Sequence, residues 1–509
     1  MKKILKVITI VVGLIMLASS CSLLYIKREV RQLSGENTTV VDPTQFEIKQ
    51  GKLALTNVNV LSPNSDSLIL NQTVLIDEKT IVAIGENLDI PKGYQVINHE
   101  GKYLIPGLVD THIHAYKSKN DLLLYIANGI TQVAFMSSWK GTYLDWKKEA
   151  QEGIGLSPHI YIAAGPMSTA HDLRSKIRAW FAPIPVYNSP KKARKAVRKF
   201  KEEGYDAVKA YTLENEIYHA VSEESKKQGI EMVGHLTPYA DFDDLYSSNQ
   251  TQIAHVEEIT KAVERQFGGR SKIYWDSTEY YLDYLKKNAD EIARKIKEKD
   301  IVVSTTVIVY ECAREQDLNL TEYLKTIDLE YMNPGIIEGS KFNPGWLPGT
   351  NNRYDFYPQD SVGISKSNIY WNTYIKAVEI MTRALARNGV ALVAGTDAGN
   401  SGVVPGFSLH YELEYLNRIG LSNSDVLRSA TSAPTKWLGT NSGTVEVGKV
   451  ADLLILDKNP LEDIRNTRQI EAVITNGRLI EKSQLNLILS KIKEANNESR
   501  KTDIQQYLD

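Results

Sequence analysis

The stretch Leu104-Ile-Pro-Gly-Leu-Val-Asp-Thr-His-Ile-His114 decides how the chain is read. An apolar run ends in two histidines spaced i, i+2, and the pleat of a strand turns both imidazoles to one face. Convergent imidazoles suit a divalent metal ion. Taken alone, His-x-His is weak evidence, because a buried histidine is more often a hydrogen-bonded core residue. Its meaning depends on what stands at the ends of the other strands.

Working outward, apolar strands alternate with amphipathic helices from Leu104 to about Gly439. The expected strands are 104–109, 131–136, 160–164, 207–211, 231–235, 252–256, 301–306 and 390–396. Such a series predicts an α/β chain folded as a (β/α)8 TIM barrel over 104–439, with reactive side chains at the carboxyl ends of its strands. The gap before the last strand predicts an insertion over about 314–370, rich in Tyr, Asn, Pro and Gly, that could form a lid. Short β-branched runs over 51–103 and again over 440–482 predict one small β-sandwich, built from N- and C-terminal segments and interrupted by the barrel. Residues 483–509 read as a charged C-terminal helix.

Four further strand ends carry reactive side chains: Val208-Lys209-Ala210, Val233-Gly-His235, Ile253-Ala-His255 and Ala394-Gly-Thr-Asp397. Each has an ordinary explanation. Lys209 could snorkel to the rim, His235 and His255 could be satisfied core residues, and Asp397 could cap a turn. Together with the His pair they resemble the amidohydrolase superfamily, in pattern its imidazolonepropionase-like and Xaa-Pro dipeptidase (prolidase)-like members, over about Gly51 to Ile480. The resemblance implies His112, His114, Lys209, His235, His255 and Asp397 as metal ligands. It also implies two divalent metal ions, zinc foremost, bridged by a CO2-derived carbamate on Lys209. His112, His114 and Asp397 would serve one ion, and His235 and His255 the other.

The chemistry of these residue types agrees with that reading. Desolvation favours a neutral Lys209 amine, the form that adds CO2. Two cations acidify a shared water and polarise a carbonyl, so a metal-bridging hydroxide can attack an amide. Asp397 is then the catalytic base, passing the proton to the leaving amine. His171, in the loop after the third strand, and Tyr211, two residues beyond Lys209, are candidate substrate-binding residues. His410 reads as structural, and His99 as a surface or strand-edge residue.

The function expected is a binuclear amidohydrolase acting on a dipeptide, an Xaa-Pro peptide or an N-acyl amino acid. Two alternatives stand beside it: a mononuclear imidazolonepropionase or deaminase-type enzyme, and a non-catalytic membrane-anchored scaffold. The bridging lysine argues against the first, and the full ligand set against the second.

Composition bounds the partners. The chain has 509 residues, 42% apolar and 24% charged, with 60 Lys+Arg against 62 Asp+Glu and a formal net charge of −2. That balance points to no nucleic-acid partner, and only two cysteines, Cys21 and Cys312, exclude a disulfide framework or thiolate cluster. At the N-terminus, Lys2, Lys3 and Lys6 precede an apolar run from Val7 to Ile26, followed by Lys27, Arg28 and Arg31. The run is long enough for a spanning helix. Leu17-Ala18-Ser19-Ser20-Cys21 within it resembles a bacterial lipoprotein box. Residues 1–31 are therefore expected to be a membrane anchor or lipoprotein signal and 32–50 a tether, with the catalytic domain outside the cytoplasm of a bacterium. The sequence leaves the oligomeric state open.

Overall fold

The structure is a computed structural model that describes residues 20–508, apart from 33, 115, 139–140, 171–184, 271–272, 274–276, 341–342, 351–353, 355–356 and 359. Two sheets organise it, and they are the barrel and sandwich that the sequence predicts.

The sandwich sheet contains β1 (Lys52–Leu61), β2 (Leu68–Asp77), β3 (Thr80–Gly85), β4 (Gln95–Asn98), β5 (Tyr103–Pro106), and the late strands β14 (Leu453–Leu456), β15 (Ile470–Thr475) and β16 (Arg478–Glu481). Its order is β16-β15-β14-β5-β1-β2-β3, with β4 beside β1. Antiparallel pairing of β14 with β5, Leu453 opposite Pro106 and Ile455 opposite Leu104, joins the two ends of the chain. Alternate residues of both ends, including Leu53, Leu55, Val74, Leu453, Ile455 and Ile474, share one buried core. This is why neither segment forms the domain alone.

The barrel runs in chain order: β6 (Leu108–Ile113), β7 (Ile130–Ser138), β8 (His159–Ser168), β9 (Ala207–Thr212), β10 (Glu231–Gly234), β11 (Gln250–Ile253), β12 (Val302–Ser304) and β13 (Leu392–Val393). Each of these strands pairs with the next in parallel. Barrel strands are buried on both faces, as in β6, where every residue is buried, the polar Asp110, Thr111 and His112 included. The first and last strands meet through Thr111 N donating to Ala394 O (3.0 Å), Asp397 N to His112 O (2.7 Å) and His114 N to Ala398 O (2.8 Å). Gly395 permits that approach, since a Cβ there would lie 2.9 Å from His112 Cβ.

Three expectations need correction. The run 104–109 is not one strand: Leu104, Ile105 and Pro106 belong to the sandwich, and the barrel begins after Gly107. A Cβ on Gly107 would fall 2.3 Å from Thr131 Oγ1, so the crossing between domains is made where only glycine fits. The stretch 32–50 is not a loose tether. Gln32 Nε2 donates to Gly339 O (3.1 Å), Asn120 Nδ2 to Thr39 O (2.9 Å), and Val41 and Phe46 are buried in the barrel core.

The insertion is likewise not a free lid. It contains part of a helix Ile308–Leu324, a short helix Pro334–Glu338 and the start of a long helix Ser361–Arg387. Asn496, on the C-terminal helix Lys482–Ser499, donates to Glu330 O (3.1 Å) and Tyr331 O (3.0 Å), and Leu329, Met332 and Ile337 pack with Ile504 and Tyr507. Among the described residues no helix is long and apolar enough to cross a membrane. Most of the run Val7–Ile26, residues 7–19, lies outside them.

Candidate metal centre

The two histidines of the opening motif leave the end of β6 on one face, as pleating requires. Barrel closure then sets Asp397 beside them. Its Oδ1 lies 2.9 Å from His114 Nε2 and 3.5 Å from His112 Nε2. One ligand atom from each of His112, His114 and Asp397 fits within 4.8 Å of the others, a spacing at which they could share a cation. Asp397 adopts a φ of 57°, a left-handed conformation that aspartate tolerates better than most residues.

Lys209 enters from β9. It is 2% exposed, and its Nζ lies 3.3 Å from His112 Nε2. Two glycines make room for it. A Cβ on Gly234, whose φ is 118°, would lie 2.3 Å from Ala210 O and 2.9 Å from Lys209 Cγ, and one on Gly165 would lie 3.0 Å from Lys209 O. Burial pushes the lysine down to about 8, with Asp397 acting in the opposite direction.

His235 follows β10 and His255 follows β11. Their rings meet edge to face at 5.0 Å, and His255 lies 4.5 Å from the His112 ring, so the four imidazoles form one continuous cluster. Burial and then the Lys209 charge hold His112 and His114 below the usual imidazole range, and burial does the same for His255. That lowering favours the neutral imidazole, the form that donates a lone pair to a metal. Burial alone would raise the Asp397 carboxyl, yet His112 and His114 hold it well below the usual carboxylate range.

Outer partners orient the rings, as metal-ligating histidines generally require. His235 Nδ1 lies 3.0 Å from Glu258 Oε1, and His255 Nδ1 lies 2.7 Å from Thr306 Oγ1. Lys261 neutralises the buried Glu258 at 3.1 Å. Asp110, also buried, accepts from the Thr396 hydroxyl (2.6 Å), Thr396 N (3.0 Å) and His112 N (3.3 Å), and so ties the two strands that carry His112 and Asp397. The donor set is thus largely buried, with His114 and His235 partly exposed, and its four imidazoles, one carboxylate and one desolvated amine fit divalent cations.

Tyr211 stands at the rim, 42% exposed, with its ring 4.5 Å from that of His235. His171 lies outside the described residues. His410 bonds Thr467 Oγ1 (2.9 Å) and Asn128 O (3.1 Å) away from the site. His99 is buried, contrary to its expectation as a surface or edge residue.

Sequence reasoning passed over Asp110, Glu258 and Thr306. Asp110 had a local signal, an acid inside an apolar strand two residues before His112. Glu258 shared a helical turn with His255. Thr306 had none.

Comparison with known proteins identifies the chain's relatives. The chain is 23% identical to a 5'-deoxyadenosine deaminase of Methanosphaera stadtmanae over 81% of its length and 90% of the relative's. Among solved structures it resembles a bottromycin amidohydrolase (TM-score 0.66, 19% identity, 87% of this chain and 90% of that one). It also resembles a Xaa-Pro dipeptidase with bound methionine (TM-score 0.58, 18% identity, 85% and 100%). The amidohydrolase family model matches residues 103–480, and the chain belongs to the amidohydrolase family.

Proposed function

We propose that this metal-dependent hydrolase of C–N bonds is a binuclear amidohydrolase that cleaves the amide of a dipeptide, an Xaa-Pro peptide or an N-acyl amino acid. The observation that carries the reading is Lys209, a buried lysine whose Nζ points at His112 Nε2 from 3.3 Å. A single-ion site has no need of an amine there. A lysine desolvated to about 8 can lose its proton and add CO2, giving an N-carboxylate with two oxygens and releasing a proton. In this reading His112, His114 and Asp397 would hold one ion and His235 and His255 the other, with carboxylated Lys209 as a further ligand. When bound, such ions lower the pKa of coordinated water and polarise a carbonyl.

The chain's own residues supply the rest. The Asp397 carboxylate, held ionised by His112 and His114, accepts a proton from the attacking water and returns it to the departing nitrogen. Glu258 and Thr306 keep His235 and His255 oriented. Tyr211, at the rim, is placed to contact the substrate.

A mononuclear deaminase is the second reading, favoured by the alignment with the 5'-deoxyadenosine deaminase along most of both chains. One assay separates the two: a panel of dipeptides and N-acyl amino acids run beside 5'-deoxyadenosine with metal-loaded enzyme. Amine release from the panel supports the first reading, and ammonia release from the nucleoside alone replaces it with the second.

We also propose that residues 1–31 attach the enzyme to a bacterial membrane with the barrel outside the cytoplasm. The apolar run flanked by lysines and arginines supports this.

A further inference from the structure

Thr306 has a φ of 46°, a left-handed conformation that a β-branched residue rarely adopts. It is completely buried, and its hydroxyl oxygen lies 2.7 Å from Nδ1 of His255. A residue persists in such a conformation only when its surroundings over-determine it.

The restraint comes from one distant carboxylate. Glu412, fully buried on the helix Phe407–Arg418, accepts from Thr305 Oγ1, from Val307 N at 3.2 Å and from Ile308 N at 2.8 Å. These donors flank Thr306 on both sides, so the residue between them is clamped at each end. Glu412 itself bonds none of the six candidate ligands. Its bonds to Val307 N and Ile308 N also satisfy the start of the helix Ile308–Leu324, which is a structural role. That role would not require a strained threonine between the donors, nor explain why its hydroxyl faces a histidine of the metal cluster.

We propose that Glu412 is a positioning residue: by clamping residues 305–308 it fixes the Thr306 hydroxyl as acceptor for Nδ1–H of His255, which sets that ring's tautomer and leaves Nε2 free to bind metal. The inference rests on the binuclear reading for the identity of the bound group, but the tautomer itself can be read without metal.

The test uses metal-stripped full-length protein titrated with Zn2+ against a chelating chromophore, with thermal melts of the metal-free forms alongside. Glu412→Gln, which keeps the shape but lacks the second acceptor oxygen, and Thr306→Val should each weaken binding of one ion about tenfold or more, the usual range for outer partners of metal ligands. Thr306→Ser should bind as the wild type does. Thr306→Gly separates strain from function: it relieves the backbone, so the metal-free protein should melt no lower, yet it should lose the same ion. If Glu412→Gln does not fold, Thr305→Val removes one of the three bonds in its place and should weaken the same ion. Wild-type affinity for both ions in Glu412→Gln, Thr306→Val or, where it replaces Glu412→Gln, Thr305→Val overturns the inference.

A wild type that takes up fewer than two ions instead defeats the binuclear reading. The inference is then decided by 15N shifts of His255 in metal-free protein. They should report protonated Nδ1 in the wild type and mixed tautomers in Glu412→Gln, and unchanged tautomers overturn it.

Discussion

Asp397 Oδ1 lies 2.9 Å from His114 Nε2, so the last barrel strand delivers a carboxylate to the histidine pair that ends the first. Because His112 and His114 hold it ionised, Asp397 would serve in the proposed mechanism as both a ligand and the base nearest any water bound there. Asp397→Asn keeps the shape and removes the base, so kcat should fall roughly a hundredfold or more. Steady-state turnover of metal-loaded variant and wild type measures it, and near-wild-type turnover removes Asp397 from proton transfer.

In the binuclear reading Lys209 determines the metal stoichiometry. Elemental analysis of the wild type should find two divalent ions per chain under the binuclear reading, and Lys209→Ala should lose at least one. Short carboxylic acids should partly restore activity to Lys209→Ala by occupying the space of the missing carbamate. A single tightly bound ion, unchanged by the substitution, favours the mononuclear reading.

Gly234 guards the lysine's path. Gly234→Ala places a methyl 2.3 Å from Ala210 O at a φ of 118°, so both sterics and backbone oppose it. The expected loss is on the order of 3 kcal/mol, read from chemical denaturation, together with weaker metal binding because Lys209 Cγ must move.

Buried Asp121 makes stability depend on pH. Burial pushes its carboxyl up to about 7 from 3.8, against a bond from Ser118 Oγ at 2.7 Å. Between these values the folded protein keeps a proton that the unfolded chain has released, so stability falls as pH rises through that window and levels above it. Asp121→Asn removes this dependence. From about pH 5 to pH 8 the variant should lose less stability than the wild type, by up to about 3 kcal/mol, since roughly 1.4 kcal/mol per unit acts only over the two units below the folded value.

The N-terminal anchor is resolved by mass spectrometry of membrane-extracted protein. A mature chain beginning at an acylated Cys21 makes it a lipoprotein, and an intact amino terminus makes it a spanning helix. Removing residues 1–31 should release an active enzyme in either case, since every candidate ligand lies at or beyond His112 and the docked stretch from Gln32 onward is retained.

The sequence by itself determined the alternation of strand and helix, the barrel and the split sandwich, and it pointed to six candidate ligand positions. These follow from relations a few residues long. Short apolar runs set between amphipathic helical patterns mark strands, and within a strand i, i+2 spacing turns His112 and His114 the same way before any tertiary contact exists. Tertiary structure decided the rest. Glu412 clamps Thr306, Asp110 ties Thr396 to His112, and β14 of the last segment completes a sheet begun by β1. The break at Gly107 and the docking of residues 32–50 belong here too. A buried polar group accepts whichever partner barrel closure brings within reach. No local pattern around Glu412 or Thr306 encodes that choice, because the cost of an unpaired buried group is set by its final surroundings.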